Sequence, residues 1–128
     1  MKILLDTCTF LWIVEDSDQL SDTARQVFTS ADNQVYLSAV STWEICLKYS
    51  LGKLPLSQPP AKFFPAERNA HSILPLDLDE AVTLHLPDLP QIHRDPFDRM
   101  LICQAIILDM VLLTPDNAIR QYPVRTVW

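Results

Sequence analysis

The chain has 128 residues, about one domain's worth at a usual size of roughly 100 to 200 residues. Hydrophobic residues make up 48% and charged residues 20%, the balance of a chain that folds around a core of its own. Ten Lys plus Arg against sixteen Asp plus Glu give a net charge of −6, which excludes the usual basic footprint of a nucleic-acid binder unless the acids are gathered and neutralised by metal.

In chain order, Lys2 to Leu5 is an apolar run ending in Asp6 and reads as a buried strand. An acid inside the amino-terminal apolar stretch argues against a signal peptide, and no apolar run reaches the ~18 to 20 residues of a membrane span. Thr7 to Val14 reads as a short helix, and Ser21 to Ala31 as a second behind a Ser cap. Gln34 to Leu37 is a compact strand. From Ser38 or Ser41 to Leu51 the positions Val40, Trp43, Cys46, Leu47 and Leu51 follow helical spacing, and Gly52 is placed to end that helix. Gly52 is the one glycine, so there is neither a P-loop nor a dinucleotide fingerprint.

Leu54 to Pro65 holds four prolines, which predicts mostly turn with a short helix around Ala61 to Phe64. Ser72 to Leu76 predicts a strand that Pro75 confines to a sheet edge. Asp79 to Leu86 predicts a short helix, and Pro87 and Pro90 open a loop containing His93 and Arg94. Asp95 to Asp109 is the longest predicted helix, with Pro96 at its first position. Met110 to Leu113 reads as a strand stopping at Thr114-Pro115-Asp116, and Val124 to Trp128 as the last strand. Short strands alternating with helices predict an α/β fold with a central, mainly parallel sheet flanked by helices. In such sheets the ligand site lies beyond the carboxyl ends of the strands.

Acids stand at that edge. Asp6 ends the first strand, Asp116 follows the Met110–Leu113 strand, Glu44 lies in the helix after the second strand, and Asp98 in the first turn of the long helix. Each has a purely structural alternative. Asp6 and Asp116-Asn117 suit turns; Glu44 suits a capping box with Ser41, or a pair with Lys48 one helical turn on. Asp95 suits an N-cap, with Asp98 at the dipole-favoured third position. Convergence of all four on one sheet edge is what the structural alternatives leave unexplained. Four carboxylates gathered together raise one another's pKa, which a hard divalent cation resolves. Oxygen-only donors select magnesium, or manganese, over zinc.

These segments resemble a family. Leu4-Leu5-Asp6-Thr7, Ser38-Ala39-Val40-Ser41-Thr42-Trp43-Glu44-Ile45, Leu51-Gly52-Lys53-Leu54, His93-Arg94-Asp95-Pro96-Phe97-Asp98-Arg99 and Leu113-Thr114-Pro115-Asp116 look like the PIN-domain ribonucleases, in particular the VapC-type toxins of toxin–antitoxin modules. The resemblance runs from Lys2 to about Val127 and implies a single PIN-like domain over 1–128. It equates Asp6, Glu44, Asp98 and Asp116 with the family's acidic quartet, with Asp95 as a possible fifth member. It implies hydrolysis of RNA phosphodiester bonds, a homodimer, and inhibition by a small antitoxin crossing the active-site groove. Asp6 and Asp98 are expected as the most direct metal ligands, with Glu44 and Asp116 completing the shell.

Around the acids, Thr114 is a candidate for holding a metal-bound water or the phosphate. Arg94, Arg99, Lys48 and Lys53 are candidate RNA-backbone contacts. His71, His85 and His93 lack metal or triad spacing and are read as non-catalytic, with His93 the one near the site. The three cysteines, Cys8, Cys46 and Cys103, are far apart and fit buried, reduced thiols of a cytoplasmic protein. A magnesium phosphatase of the haloacid-dehalogenase type would want a second acid where Cys8 stands. A non-catalytic acidic module that binds a partner protein is the other alternative. Large apolar side chains cluster at Phe10, Leu11 and Trp12 and again at Trp43, Leu54, Leu56, Phe63 and Phe64, more than a small core comfortably takes.

Overall fold

The computed structural model describes residues 1–128. Five strands, β1 (Lys2–Leu5), β2 (Gln34–Ser38), β3 (Ile73–Leu76), β4 (Val111–Leu113) and β5 (Thr126–Val127), form one sheet in the order β3-β2-β1-β4-β5. Every pairing is parallel, with Leu4 opposite Tyr36 and Leu5 opposite Leu113. β1 is therefore the central strand, and its carboxyl end lies between those of β2 and β4. Pro75 sits on the edge strand β3, where a missing ladder donor is tolerated.

Parallel strands are covered on both faces, so their side chains are apolar on both sides. Ile3, Leu5, Val35, Leu37, Val111 and Leu113 enter one core with Phe10, Phe63 and Phe64. Leu4 and Leu112 enter the other, with Leu101, Ile102 and Met110. Helices α1 (Thr7–Glu15), α2 (Asp22–Thr29), α3 (Ala39–Ser50), α4 (Pro60–His71), α5 (Glu80–Thr83) and α6 (Pro96–Ile107) flank the sheet. None is long and apolar enough to cross a membrane.

Local chemistry fixes most helix ends. Ser21 caps α2, accepting from the Ala24 N–H. Gly52, at φ +70, closes α3 with its N–H on the Tyr49 carbonyl while the Lys53 N–H reaches back to Lys48, a Schellman closure. Asp109 performs the same turn for α6 at φ 53, so α6 stops at Ile107, short of the expected Asp109. Asp is among the few non-glycine residues that visit this region readily.

The segment after Leu54 departs from expectation. Instead of mostly turn, Pro60–His71 is a helix of 12 residues with Pro65 inside it. Pro60 opens the helix where its missing N–H costs nothing, and Pro65 removes one bond, to the carbonyl of Ala61. Packing compensates: Phe63 and Phe64 are buried, with ring centroids 6.2 and 6.0 Å from Phe10. The predicted helix at 79–86 divides into α5 and a 3-10 turn at Leu86–Asp88.

Candidate functional site

Asp6 is the first residue beyond β1 and the N-cap of α1: its Oδ1 accepts from the Thr9 N–H at 2.7 Å. Its Oδ2 accepts a short hydrogen bond from the Thr114 hydroxyl, at the end of neighbouring β4. The Asp116 N–H donates to that same hydroxyl at 3.0 Å. Thr114, fully buried, thus ties the first acid to the last across the central strand pair. Its hydroxyl donates to one acid and accepts from the backbone of the other, which orients both and leaves one lone pair of the hydroxyl free. Asp116 then turns Oδ1 onto the Ala118 and Ile119 N–H groups, an Asx turn that leaves Oδ2 unengaged.

α6 delivers Asp98. Asp95 is its N-cap, accepting from the N–H groups of Phe97 and Asp98 at 2.9 and 3.1 Å. The cap reading of Asp95 therefore holds, and it fixes the first turn in which Asp98 sits. His93 Nε2 lies 3.2 Å from Asp98 Oδ2, and its Nδ1 lies 2.8 Å from the Tyr122 hydroxyl. That hydroxyl already accepts from the His93 N–H and from Arg99 Nη1. Of the two acceptors for its own proton, Nδ1 at 2.8 Å is closer than the His93 carbonyl at 3.5 Å, which favours Nδ1. Donor counting thus assigns the imidazole proton to Nε2, facing Asp98. His93 thus lies against the acid, a contact that sequence spacing did not disclose.

Glu44 comes from α3, buried at 6% exposure. The capping box with Ser41 does not form: α3 begins one turn earlier, capped by Ser38, whose hydroxyl accepts from the Val40 N–H. Ser41 is instead buried and accepts from the Thr7 hydroxyl. Glu44 pairs with Lys48 at 2.6 Å, and this bond is the main reason the Lys48 ammonium is pushed above its ordinary range.

The acids share one field. Burial is the largest cause raising the Asp98 carboxyl, to about 6, and the charges of Asp95, Asp116 and Asp6 add to it against the His93 hydrogen bond. Burial also raises Asp6, partly offset by its hydrogen bonds to Thr114 and Thr9, and Asp116 raises it further. The Cys8 thiol is raised by burial first, then by Asp6, Glu44 and Asp116, which puts Glu44 in the same neighbourhood. No three of these side chains close to metal-ligand distances. The donor set is nevertheless all oxygen and mutually destabilising, the chemistry that a hard divalent cation fits.

The cationic candidates separate. Arg94 and Lys53 are exposed, and Lys48 is exposed but paired with Glu44. Arg99 is a correction to the expected RNA contacts. It is 6% exposed, with Nη1 donating to the Pro90 carbonyl at 2.7 Å and the Tyr122 hydroxyl at 3.0 Å. All three cysteines are free, but Cys8 is exposed and only Cys103 is buried.

A parallel sheet with oxygen donors converging at its carboxyl edge from β1, β4, α3 and α6 defines a small α/β protein with an acid site. The profile of the PIN domain family matches residues 3–124, and the chain belongs to that family. Over 69 residues it is 38% identical to Ribonuclease VapC16 of Mycobacterium tuberculosis, a match covering 54% of this chain and 48% of that protein. The chain thus spans about half the length of the curated relative it matches.

Solved structures share the fold over nearly the whole chain. VapBC2 from Rickettsia felis, bound to a DNA fragment from their promoter, aligns at TM-score 0.74 and 13% identity, covering 99% of this chain and 98% of that one. VapBC-1 from nontypeable Haemophilus influenzae aligns at 0.64 and 18%, covering 99% and 97%. DNA-bound VapBC from Salmonella typhimurium aligns at 0.64 and 20%, covering 99% and 97%.

Proposed function

We propose that the protein is a metal-dependent endoribonuclease, the toxin of a toxin–antitoxin pair, in which Asp6, Glu44, Asp98 and Asp116 hold magnesium or manganese. The observation that carries this is the convergence of these carboxylates, from four separate elements, on the carboxyl edge of the sheet. A divalent cation bound there neutralises phosphate charge and acidifies a bound water. The chain's own residues supply the geometry. Thr114 aims Asp6, His93 aims Asp98, and Lys48 sets the rotamer of Glu44. Unpaired RNA is the substrate, because its splayed phosphates reach an exposed sheet edge. Kinship with Ribonuclease VapC16 supports the reaction class, and likeness to the VapBC structures supports a cognate antitoxin; a homodimer is part of the same proposal. The proposed setting is cytoplasmic.

Purified protein should cleave single-stranded RNA with magnesium or manganese and stop in excess EDTA. Sequencing the RNA ends after induction without antitoxin would name the target. Full cleavage in EDTA would end the metal reading, and intact RNA under every metal condition would leave a partner-binding module.

Thr114→Val keeps the side-chain volume and removes the hydroxyl. It leaves the Asp116 N–H without its acceptor, at about 1 to 3 kcal/mol, and frees Asp6 to rise further in pKa. Losing a group that orients a ligand costs about 10- to 100-fold in activity or metal affinity, and cleavage should fall by that range. A Thr114→Val protein as active as its parent would remove Thr114 from the site.

A further inference from the structure

Most large apolar side chains of the two clusters find the core, but Trp43 does not. Phe10, Phe63 and Phe64 are buried, and Leu11, Trp12, Leu54 and Leu56 pack against them. Trp43 remains 60% exposed. It stands edge-on to Phe97, with ring centroids 4.8 Å apart. Trp43 lies on α3, which carries Glu44, and Phe97 in the first turn of α6, which carries Asp98, so the pair bridges the two helices that bring those acids. Trp43 also walls a cleft of about 260 Å³ with Thr42, Arg68 and Asp77. That is below the roughly 300 to 1,000 Å³ of pockets for drug-sized ligands and nearer the scale of one planar ring system. Arg68 lies over the Phe64 ring at 5.7 Å, and its buried Nε has no protein partner.

Charge points the same way. A chain of net charge −6, with Arg99 buried and Lys48 paired to Glu44, has few cations to offer a phosphate backbone. Beyond the exposed Arg94 and Lys53, affinity for a single strand draws on its bases, since every base has a face that stacks on an aromatic ring.

We infer that Trp43, braced by Phe97, is a stacking platform that seats one unpaired nucleobase beside the acid edge, with the Thr42–Arg68–Asp77 cleft offering its polar edge hydrogen-bond partners. This rests on the ribonuclease reading and adds a substrate-positioning residue to it. Leu47 and Leu51 are exposed further along α3, so a protein lying on that helix is the competing outcome.

The test compares the parent with Trp43→Ala, Trp43→Leu and Trp43→Tyr. KM is measured on a short unstructured RNA with magnesium, and Kd on its nuclease-resistant phosphorothioate analogue. Removing one base–aromatic stack is worth about 1 to 3 kcal/mol, so the Ala and Leu variants should weaken both constants about 5- to 150-fold. Their kcat and melting temperature should change little. Trp43→Tyr keeps a stacking face and should stay near the parent. An abasic strand should bind the parent no better than it binds Trp43→Ala. If Trp43→Ala loses the fold, Trp43→Leu, which keeps apolar contact with Phe97, decides. Parent-like RNA binding by Trp43→Leu overturns the inference, and altered self-association without altered RNA binding makes this face a protein interface. A parent that neither binds nor cleaves RNA fails at the earlier step and takes the inference with it.

Discussion

Asp98→Asn is expected to abolish RNA cleavage while melting higher than the parent at pH 7 to 8 in EDTA. The Asp98 carboxyl titrates near 6 in the folded chain, chiefly because it is buried and faces Asp95, Asp116 and Asp6. Its unfolded value is about 3.9. A carboxyl raised on folding contributes stability that is complete below about pH 4 and is lost as pH rises through about 6. The size is roughly 3 kcal/mol if Asp98 bore it alone, and less because its neighbours share the repulsion. The amide removes that loss, gives up about 0.3 to 1 kcal/mol of helix-dipole stabilisation, and can still accept from His93. A net gain of about 1 to 2 kcal/mol raises Tm by roughly 2 to 8 °C or somewhat more.

Melting curves of the two proteins should therefore converge near pH 4 and separate above pH 6. The parent's decline with pH should not vanish entirely in the variant, because Asp6, also raised, keeps a slope of the same sign. Magnesium should stabilise the parent by about RT ln(1 + [L]/Kd) and the variant much less. A variant that melts clearly lower in EDTA at pH 8, yet responds to magnesium as the parent does, would mean that the acids hold the fold rather than an ion.

The parts of this site that sequence discloses are those set by neighbours along the chain. Asp95-Pro96 announces the start of α6, Gly52 the end of α3, and Pro75 the edge position of β3, because cap, φ and missing donor are local properties. Three of the acids are legible for a related reason: Asp6 and Asp116 follow strands and Asp98 stands in the first turn of α6, and a parallel sheet brings strand ends to one edge. Glu44, in the middle of α3, has only its place in the helix after β2 to mark it. What sequence hides is settled by distant partners. Thr114 meets Asp6 across 108 positions, and Arg99 meets Tyr122 across 23, so neither the orienting threonine nor the buried arginine has a local signature. His93 is concealed in the same way, since its role depends on a hydroxyl 29 positions away. At Pro65 the local signal is plain, but tertiary packing of Phe63 and Phe64 outweighs one lost hydrogen bond.

Burial of Arg99 carries the largest expected loss of stability. Its guanidinium serves the Pro90 carbonyl and the Tyr122 hydroxyl, and lies 5.9 Å from the Tyr122 ring centroid. Arg99→Met keeps much of the buried stem but leaves both acceptors without their charged donor. Hydrogen bonds to charged groups contribute about 1.5 to 3 kcal/mol each, and the Met side chain recovers part by packing, so a net cost of about 2 to 4 kcal/mol is expected. Arg99→Lys should restore less than half, because a point ammonium does not reproduce the fork that meets two acceptors. Arg94→Met, at an exposed position, should stay within about 0.5 kcal/mol of the parent. Urea midpoints on the three variants measure this directly. The loss should also spread to the site: the Tyr122 hydroxyl that Arg99 holds is the one that orients His93 toward Asp98, so the folded fraction of Arg99→Met should cleave RNA more slowly. If Arg99 were an RNA contact, Arg99→Met would unfold at the parent's midpoint and lose only affinity for RNA.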